Sequence, residues 1–100
     1  MPAILTTIGT LHDDGAEALG RYAAVVIPLI EAAKGTVLGR GTFVEALVGK
    51  TEDCPGFVAL IQFPDAECIR KLLSSAAYRA AVPDRTKAFR EIRTFICEAL

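Results

Sequence analysis

Phe57 to Phe63 (Phe-Val-Ala-Leu-Ile-Gln-Phe) is apolar at both alternating sets of positions and stops at Pro64-Asp65. In a strand, Phe57, Ala59, Ile61 and Phe63 point to one side of the sheet and Val58, Leu60 and Gln62 to the other. A strand wet on one side would alternate apolar with polar, so this one needs cover on both faces.

The rest of the chain arranges itself around that strand. Ala3 to Thr10 is rich in Ile, Leu and Thr, lacks a helical period and reads as a strand. Ala16 to Lys34 carries Leu19, Tyr22, Ala23, Val26, Ile27, Ile30 and Ala33 at helical spacing, one apolar stripe that Val25 and Leu29 widen. Asp14 and Glu17 have capping-box spacing before it, and Gly35 is placed as a left-handed C-cap after it. Pro28 removes one donor and is expected to bend the helix near Ala24-Val25. Thr36 to Val48 reads as a long strand interrupted at Gly39-Arg40-Gly41 by a bulge or sharp bend, and Gly49 to Gly56 as a loop.

After the Phe57–Phe63 strand, Asp65 caps a second helix with Ala66, Ile69, Leu72 and Leu73 inward. Ser75 caps a short helix over Ala76 to Val82. Pro83-Asp84 then breaks the chain before a helical turn at Arg85 to Glu91, and Ile92 to Ala99 alternates as the last strand.

The order is βαββαβ, an α+β ferredoxin-like pattern: one domain over residues 1–100, an antiparallel sheet, and both helices on one face. The other face is left bare. Four strands at ~4.8 Å spacing and ~20 Å length give it a projected area of roughly 400 Å². Monomers rarely expose a larger apolar patch, so a homodimer joined through the helix-free sheet face is expected.

Composition supports this. The chain is 52% hydrophobic, high for 100 residues, and surplus apolar surface in a small globule suggests an interface between subunits. Eleven basic against twelve acidic residues, with no basic stripe, argue against nucleic acid and against anionic membranes. No apolar run approaches ~20 residues. Met1 to Leu5 has no basic leader and does not read as a signal peptide. Cys54, Cys68 and Cys97 are odd in number and widely spaced, which opposes a disulfide framework and a zinc motif; Cys68 and Cys97 read as small buried hydrophobes. A reducing, cytoplasmic setting is expected, with no metal and no cofactor.

Gly49, Gly56 to Phe63, Pro64-Asp65, Ser75-Ala76-Ala77-Tyr78 and Arg85 together resemble the domain of unknown function 1330 family, whose members carry a hydrophobic strand, Phe-Pro, a short helix, Ser-Pro-x-Tyr and Arg. Tyr22, Pro28, Gly35, Arg40-Gly41 and Glu45 match its pattern upstream. The resemblance runs from about Ala16 onward and implies a ferredoxin-like subunit that pairs into a dimeric α+β barrel. It implies no settled activity. Leu72 stands where relatives often have tryptophan, Ser75-Ala76 where they have Ser-Pro, and Lys34-Gly35 where they have two glycines. A pocket that used the tryptophan would differ here.

Four side chains are candidate ligand contacts. Arg40, between two glycines in an apolar strand, could hold a carboxylate bidentately from inside the barrel or cleft; otherwise it reaches solvent or pairs with Glu45. Tyr78 could cover the sheet while its hydroxyl meets a polar partner, and Arg85, seven residues on, could serve helix-end carbonyls. His12, the single histidine, precedes two aspartates that could raise its pKa for acid–base work; in a polar turn it is otherwise solvated. Gln62 is the polar exception in the doubly apolar strand, either hydrogen-bonded or facing water at the strand end. No Ser-His-Asp, Cys-His or phosphate-loop pattern is present.

Two readings follow. In one, a homodimer holds a small organic molecule, such as a carboxylate, between sheet and helices. Fold analogy extends this to cofactor-independent monooxygenases and isomerases of related dimeric barrels. In the other, the chain is a non-catalytic interaction or structural domain with a filled core.

Overall fold

The computed structural model describes all 100 residues, Met1 to Leu100. Strand β1 (Ala3–Leu11) leads to helix α1 (Ala16–Ala32), strand β2 (Thr36–Thr42), a 3-10 turn (Thr51–Asp53) and strand β3 (Phe57–Phe63). Helices α2 (Ala66–Ser74), α3 (Ala76–Arg79) and α4 (Val82–Ala88) then precede strand β4 (Phe89–Glu98). The sheet order is β2-β3-β1-β4, and every adjacent pair is antiparallel. This is the α+β ferredoxin-like arrangement the element order predicts.

The parity expected of β3 holds. Ala59, Ile61 and Phe63 are buried, while Leu60 and Gln62 between them are exposed. Ala3 and Leu5 pair with Phe63 and Ile61, so β1 buries the same side. Val26 and Ile30 of α1, Ile69 and Leu72 of α2 and Tyr78 of α3 pack on that side as one core cluster. A second, smaller cluster of Ala18, Ala88 and Phe89 closes the far end. Phe89 stacks edge-on against Phe57 with ring centroids 5.3 Å apart, and pairs with Leu11 across a register shift, so β4 begins three residues before the expected start.

Several local details differ from the sequence expectation. Helix α1 starts after Gly15, not Asp14, and no side chain caps it. Gly15 packs so closely on the Ala88 carbonyl that a Cβ there would lie 2.4 Å from that oxygen. At the other end the left-handed residue is Lys34 (φ 67°) rather than Gly35. Lys34 N–H donates to the Glu31 carbonyl and Gly35 N–H to the Ile30 carbonyl, the paired bonds of a Schellman motif. Gly35 is held to another duty: a Cβ on it would sit 2.7 Å from Ile30 Cγ2 and 2.8 Å from the Phe63 ring. Helix α1 continues through Pro28 to Ala32. Pro28 and Ala24 are both exposed, so water can serve the Ala24 carbonyl that loses its donor.

Asp65 caps α2 as expected, its Oδ1 accepting from Cys68 N–H at 3.0 Å. Ser75 serves two helices: its hydroxyl accepts from Tyr78 N–H at 3.2 Å and donates to the Leu72 carbonyl at 2.7 Å. Pro83 does not break the chain. It occupies the first turn of α4, where a missing N–H costs nothing. Cys68 and Cys97 are half-buried rather than core residues.

Strand β2 stops at Thr42 instead of reaching Val48. Thr42 pairs with Phe57, the first residue of β3, so beyond Thr42 the chain has no partner strand apart from Phe43 N–H donating to the Gly56 carbonyl. The apolar residues that follow stand in the open: Val44 is 86% exposed, Leu47 88% and Val48 93%.

Candidate functional site

Between the two core clusters lies a cavity of about 90 Å³, bounded by the sheet on one side and the helices on the other. Its size is smaller than the ~150 Å³ cavity that encloses benzene. Leu5, Ala59 and Ile61 form part of its floor, and Leu19, Val26 and Leu72 part of its roof. Sixteen of its nineteen lining residues are hydrophobic; the others are Thr7, Thr94 and Arg40.

A register shift in β2 directs Arg40 there. Val37 pairs with Ile61, but Gly39, not Leu38, pairs with Leu60, and Arg40 pairs with Ala59. Leu38 is therefore the extra residue of a β-bulge. Strict alternation from Val37 would have set Arg40 opposite Val58, on the helix-free face. The bulge returns it to the side of Ala59 and the helices, at the exposed edge of the sheet. Arg40 makes no ion pair and no side-chain hydrogen bond; the expected alternative partner, Glu45, lies in the open segment after β2. A guanidinium at the rim of an apolar cavity has its donors free for a carboxylate.

The opposite wall holds a chain of polar groups. Tyr22 and Tyr78 hydroxyls are 2.8 Å apart, and Arg85 Nη1 donates to the Tyr78 hydroxyl at 3.0 Å. The two rings meet edge-on with centroids 6.2 Å apart, and the Arg85 guanidinium lies over the Tyr78 ring at 5.9 Å. Burial, reinforced by the hydrogen bond to Tyr78, raises the Tyr22 pKa well above the ordinary tyrosine value, so this phenol stays protonated. Arg85 stands one bond behind the wall, acting on Tyr78. On the floor, Thr7 and Thr94 hydroxyls are 3.2 Å apart across the β1–β4 pair.

The structure thus brings Arg40 and Tyr78 to one cavity, with Arg85 supporting Tyr78. His12 lies elsewhere, in a shallow surface depression with Asp14, Glu17, Arg21 and Lys87. Gln62 is exposed on the helix-free side. Tyr22, Thr7 and Thr94 are cavity residues that the sequence reading did not single out as ligand contacts. The available signal was Tyr22 itself, a hydroxyl-bearing residue in the middle of a helical apolar stripe, which needs a polar partner when buried.

The family model for the domain of unknown function DUF1330 matches residues 7–100 of the chain. The chain belongs to that family. Among solved structures it is similar to a protein of unknown function from Rhodopseudomonas palustris, at 24% identity and a TM-score of 0.84, covering 99% of this chain and 82% of that one. It is also similar to a dimeric protein of unknown function with a ferredoxin-like fold from Bacteroides fragilis, at 10% identity and a TM-score of 0.66, covering 98% and 96%. A dabb family protein with a ferredoxin-like fold from Mesorhizobium loti aligns at 15% identity and a TM-score of 0.66, covering 99% and 97%. No functionally curated protein matches the chain. No helix is long and apolar enough to cross a membrane.

Proposed function

We propose that this chain forms a homodimer that binds a small organic carboxylate in the cavity between sheet and helices, with Arg40 as the anion anchor. One observation carries this reading: Arg40 is the single charged side chain lining a mostly hydrophobic cavity, and it has no partner of its own. No carboxylate, imidazole or thiol lines the cavity, so its chemistry favours binding over proton abstraction. A thermal-shift series with acetate, butanoate, pentanoate and benzoate, each beside its primary amide, tests the reading. At least one acid should raise the melting temperature while its amide does not, since a ligand stabilises the state it binds by mass action. Equal behaviour of every acid and its amide would refute it.

Support for the dimer comes from surface area. The chain exposes 6609 Å², against about 5,500 Å² for a typical folded monomer of its 10.7 kDa. The excess is comparable to the ~800 Å² one partner contributes to a standard interface. The helix-free sheet face fits as that interface. Leu60 and Phe95, 38% and 44% exposed, flank Thr6 across three neighbouring strands. The similarity to a Bacteroides fragilis protein described as dimeric points the same way. Three unpaired thiols, Cys54, Cys68 and Cys97, suit a reducing compartment, and the cytoplasm is the proposed location.

A further inference from the structure

The hydrogen bonds around Tyr22 and Tyr78 do not use every hydrogen available. Arg85 donates to the Tyr78 oxygen, and one phenolic hydrogen lies between the two hydroxyls. If Tyr78 donates to Tyr22, the Tyr22 hydrogen is left over; if Tyr22 donates to Tyr78, the Tyr78 hydrogen is left over. In both arrangements one O–H has no protein acceptor. Both tyrosines line the cavity. The same count at Thr7 and Thr94 leaves a second hydroxyl hydrogen on the floor. The polar side chains of the wall therefore present donors in excess, and no carboxylate, side-chain amide or imidazole stands there to accept them.

We propose that the site is built for a short-chain oxo acid: its carboxylate on the Arg40 guanidinium and its carbonyl oxygen on the free O–H of the Tyr22–Tyr78 pair. This rests on the carboxylate reading above and adds the second polar contact. Arg85 makes the tyrosine pair a better donor, because a hydroxyl whose oxygen already accepts a charge-assisted bond is polarised toward giving up its hydrogen. The burial that keeps Tyr22 protonated maintains that donor throughout the neutral range. A carbonyl suits the position better than a hydroxyl, since it only accepts and brings no further hydrogen into a wall already short of acceptors. The cavity volume of about 90 Å³ limits the enclosed part of the ligand to a few non-hydrogen atoms, the scale of a four- or five-carbon acid with its head at the rim.

Calorimetric titration of the full chain with 2-oxopentanoate, 4-oxopentanoate and plain pentanoate separates the two claims. Against the wild type, at least one oxo isomer should bind about three- to tenfold more tightly than pentanoate, the scale of one neutral hydrogen bond. In the double variant Tyr22→Phe with Tyr78→Phe that advantage should shrink toward onefold, with pentanoate itself little changed, whereas each single variant keeps one free phenolic hydrogen. In Arg40→Ala all three acids should weaken together. Pentanoate binding as tightly as both oxo acids in the wild type would overturn the oxo-acid proposal and leave the carboxylate reading standing. No binding by any of the three would overturn both. The wild-type comparison needs no variant, so it decides the matter even if a tyrosine replacement folds poorly.

Discussion

Tyr22 and Tyr78 are 56 positions apart in sequence, yet their hydroxyls meet at 2.8 Å and join α1 to α3 across the roof of the cavity. Arg85 completes the link from α4. Removing the Tyr78 hydroxyl leaves a half-buried guanidinium and a half-buried phenol without their shared partner. Tyr78→Phe should therefore cost about 1–3 kcal/mol, read as a fall of ~4–8 °C in melting temperature per kcal/mol for a domain of this size. Tyr22→Phe should cost less, because Tyr78 keeps Arg85. Equal and negligible losses would show that the chain of hydroxyls contributes nothing to folding.

The same pair gives a pH dependence with a definite sign. Burial raises the Tyr22 pKa in the folded protein above that of the unfolded chain. A group raised in this way contributes its full stability below the unfolded value, ~10 for tyrosine, and loses it as the pH climbs from there toward the folded value. Urea midpoints at pH 8 and pH 11 should fall further for the wild type than for Tyr22→Phe. A parallel decline would contradict the assignment.

Two adjacent residues should respond in opposite directions. Lys34 holds a left-handed backbone without being glycine, and Lys34→Gly should stabilise the chain by about 0.5–1 kcal/mol. Gly35→Ala drives a methyl against Ile30 and the Phe63 ring, which is 1% exposed and has no room to yield. Overpacking of this kind costs about 1–3 kcal/mol. Chemical denaturation of the two variants checks both signs at once.

Leu60 and Phe95 test the pairing of subunits. A carboxylate in place of either would be buried without a partner in a dimer sealed through that face, but hydrated in a monomer. Light scattering should give twice 10.7 kDa for the wild type and 10.7 kDa for Leu60→Glu with Phe95→Glu. A variant that keeps the wild-type mass would move the interface elsewhere, with the exposed Val44–Val48 segment the next place to look.

What could be read from the sequence was mostly what a few neighbouring residues decide. The alternation of inward and outward residues along β3, the cap at Asp65 and the cap at Ser75 all follow from local chemistry, and all hold in the structure. The errors arise where a distant contact decides. Gly35 has the right type for a left-handed cap, but Phe63 claims it for close packing, so Lys34 takes the turn. Val44 to Val48 is apolar enough to be a strand, but β3 begins at Phe57 and offers it no edge. Pro83 reads as a break and acts as a first-turn residue. The cavity was half legible. Two glycines around Arg40 signalled a bulge, yet the side on which Arg40 emerges depends on the pairing of Gly39 with Leu60. The tyrosine pair needs the docking of α3 on α1; at short range its mark is a hydroxyl at Tyr22 within an apolar stripe, which does not name the partner.

The role assigned to Arg40 is tested most directly by following its own side-chain N–H signals in ¹⁵N-resolved NMR spectra during titration with a short-chain acid. Charge-assisted bonds to a carboxylate slow guanidinium rotation and shift the Nε–H resonance. The expected result is a saturable shift of the Arg40 Nε–H signal, with the other arginines still and the matching amide without effect. Binding that leaves Arg40 unmoved while another arginine responds would contradict the account.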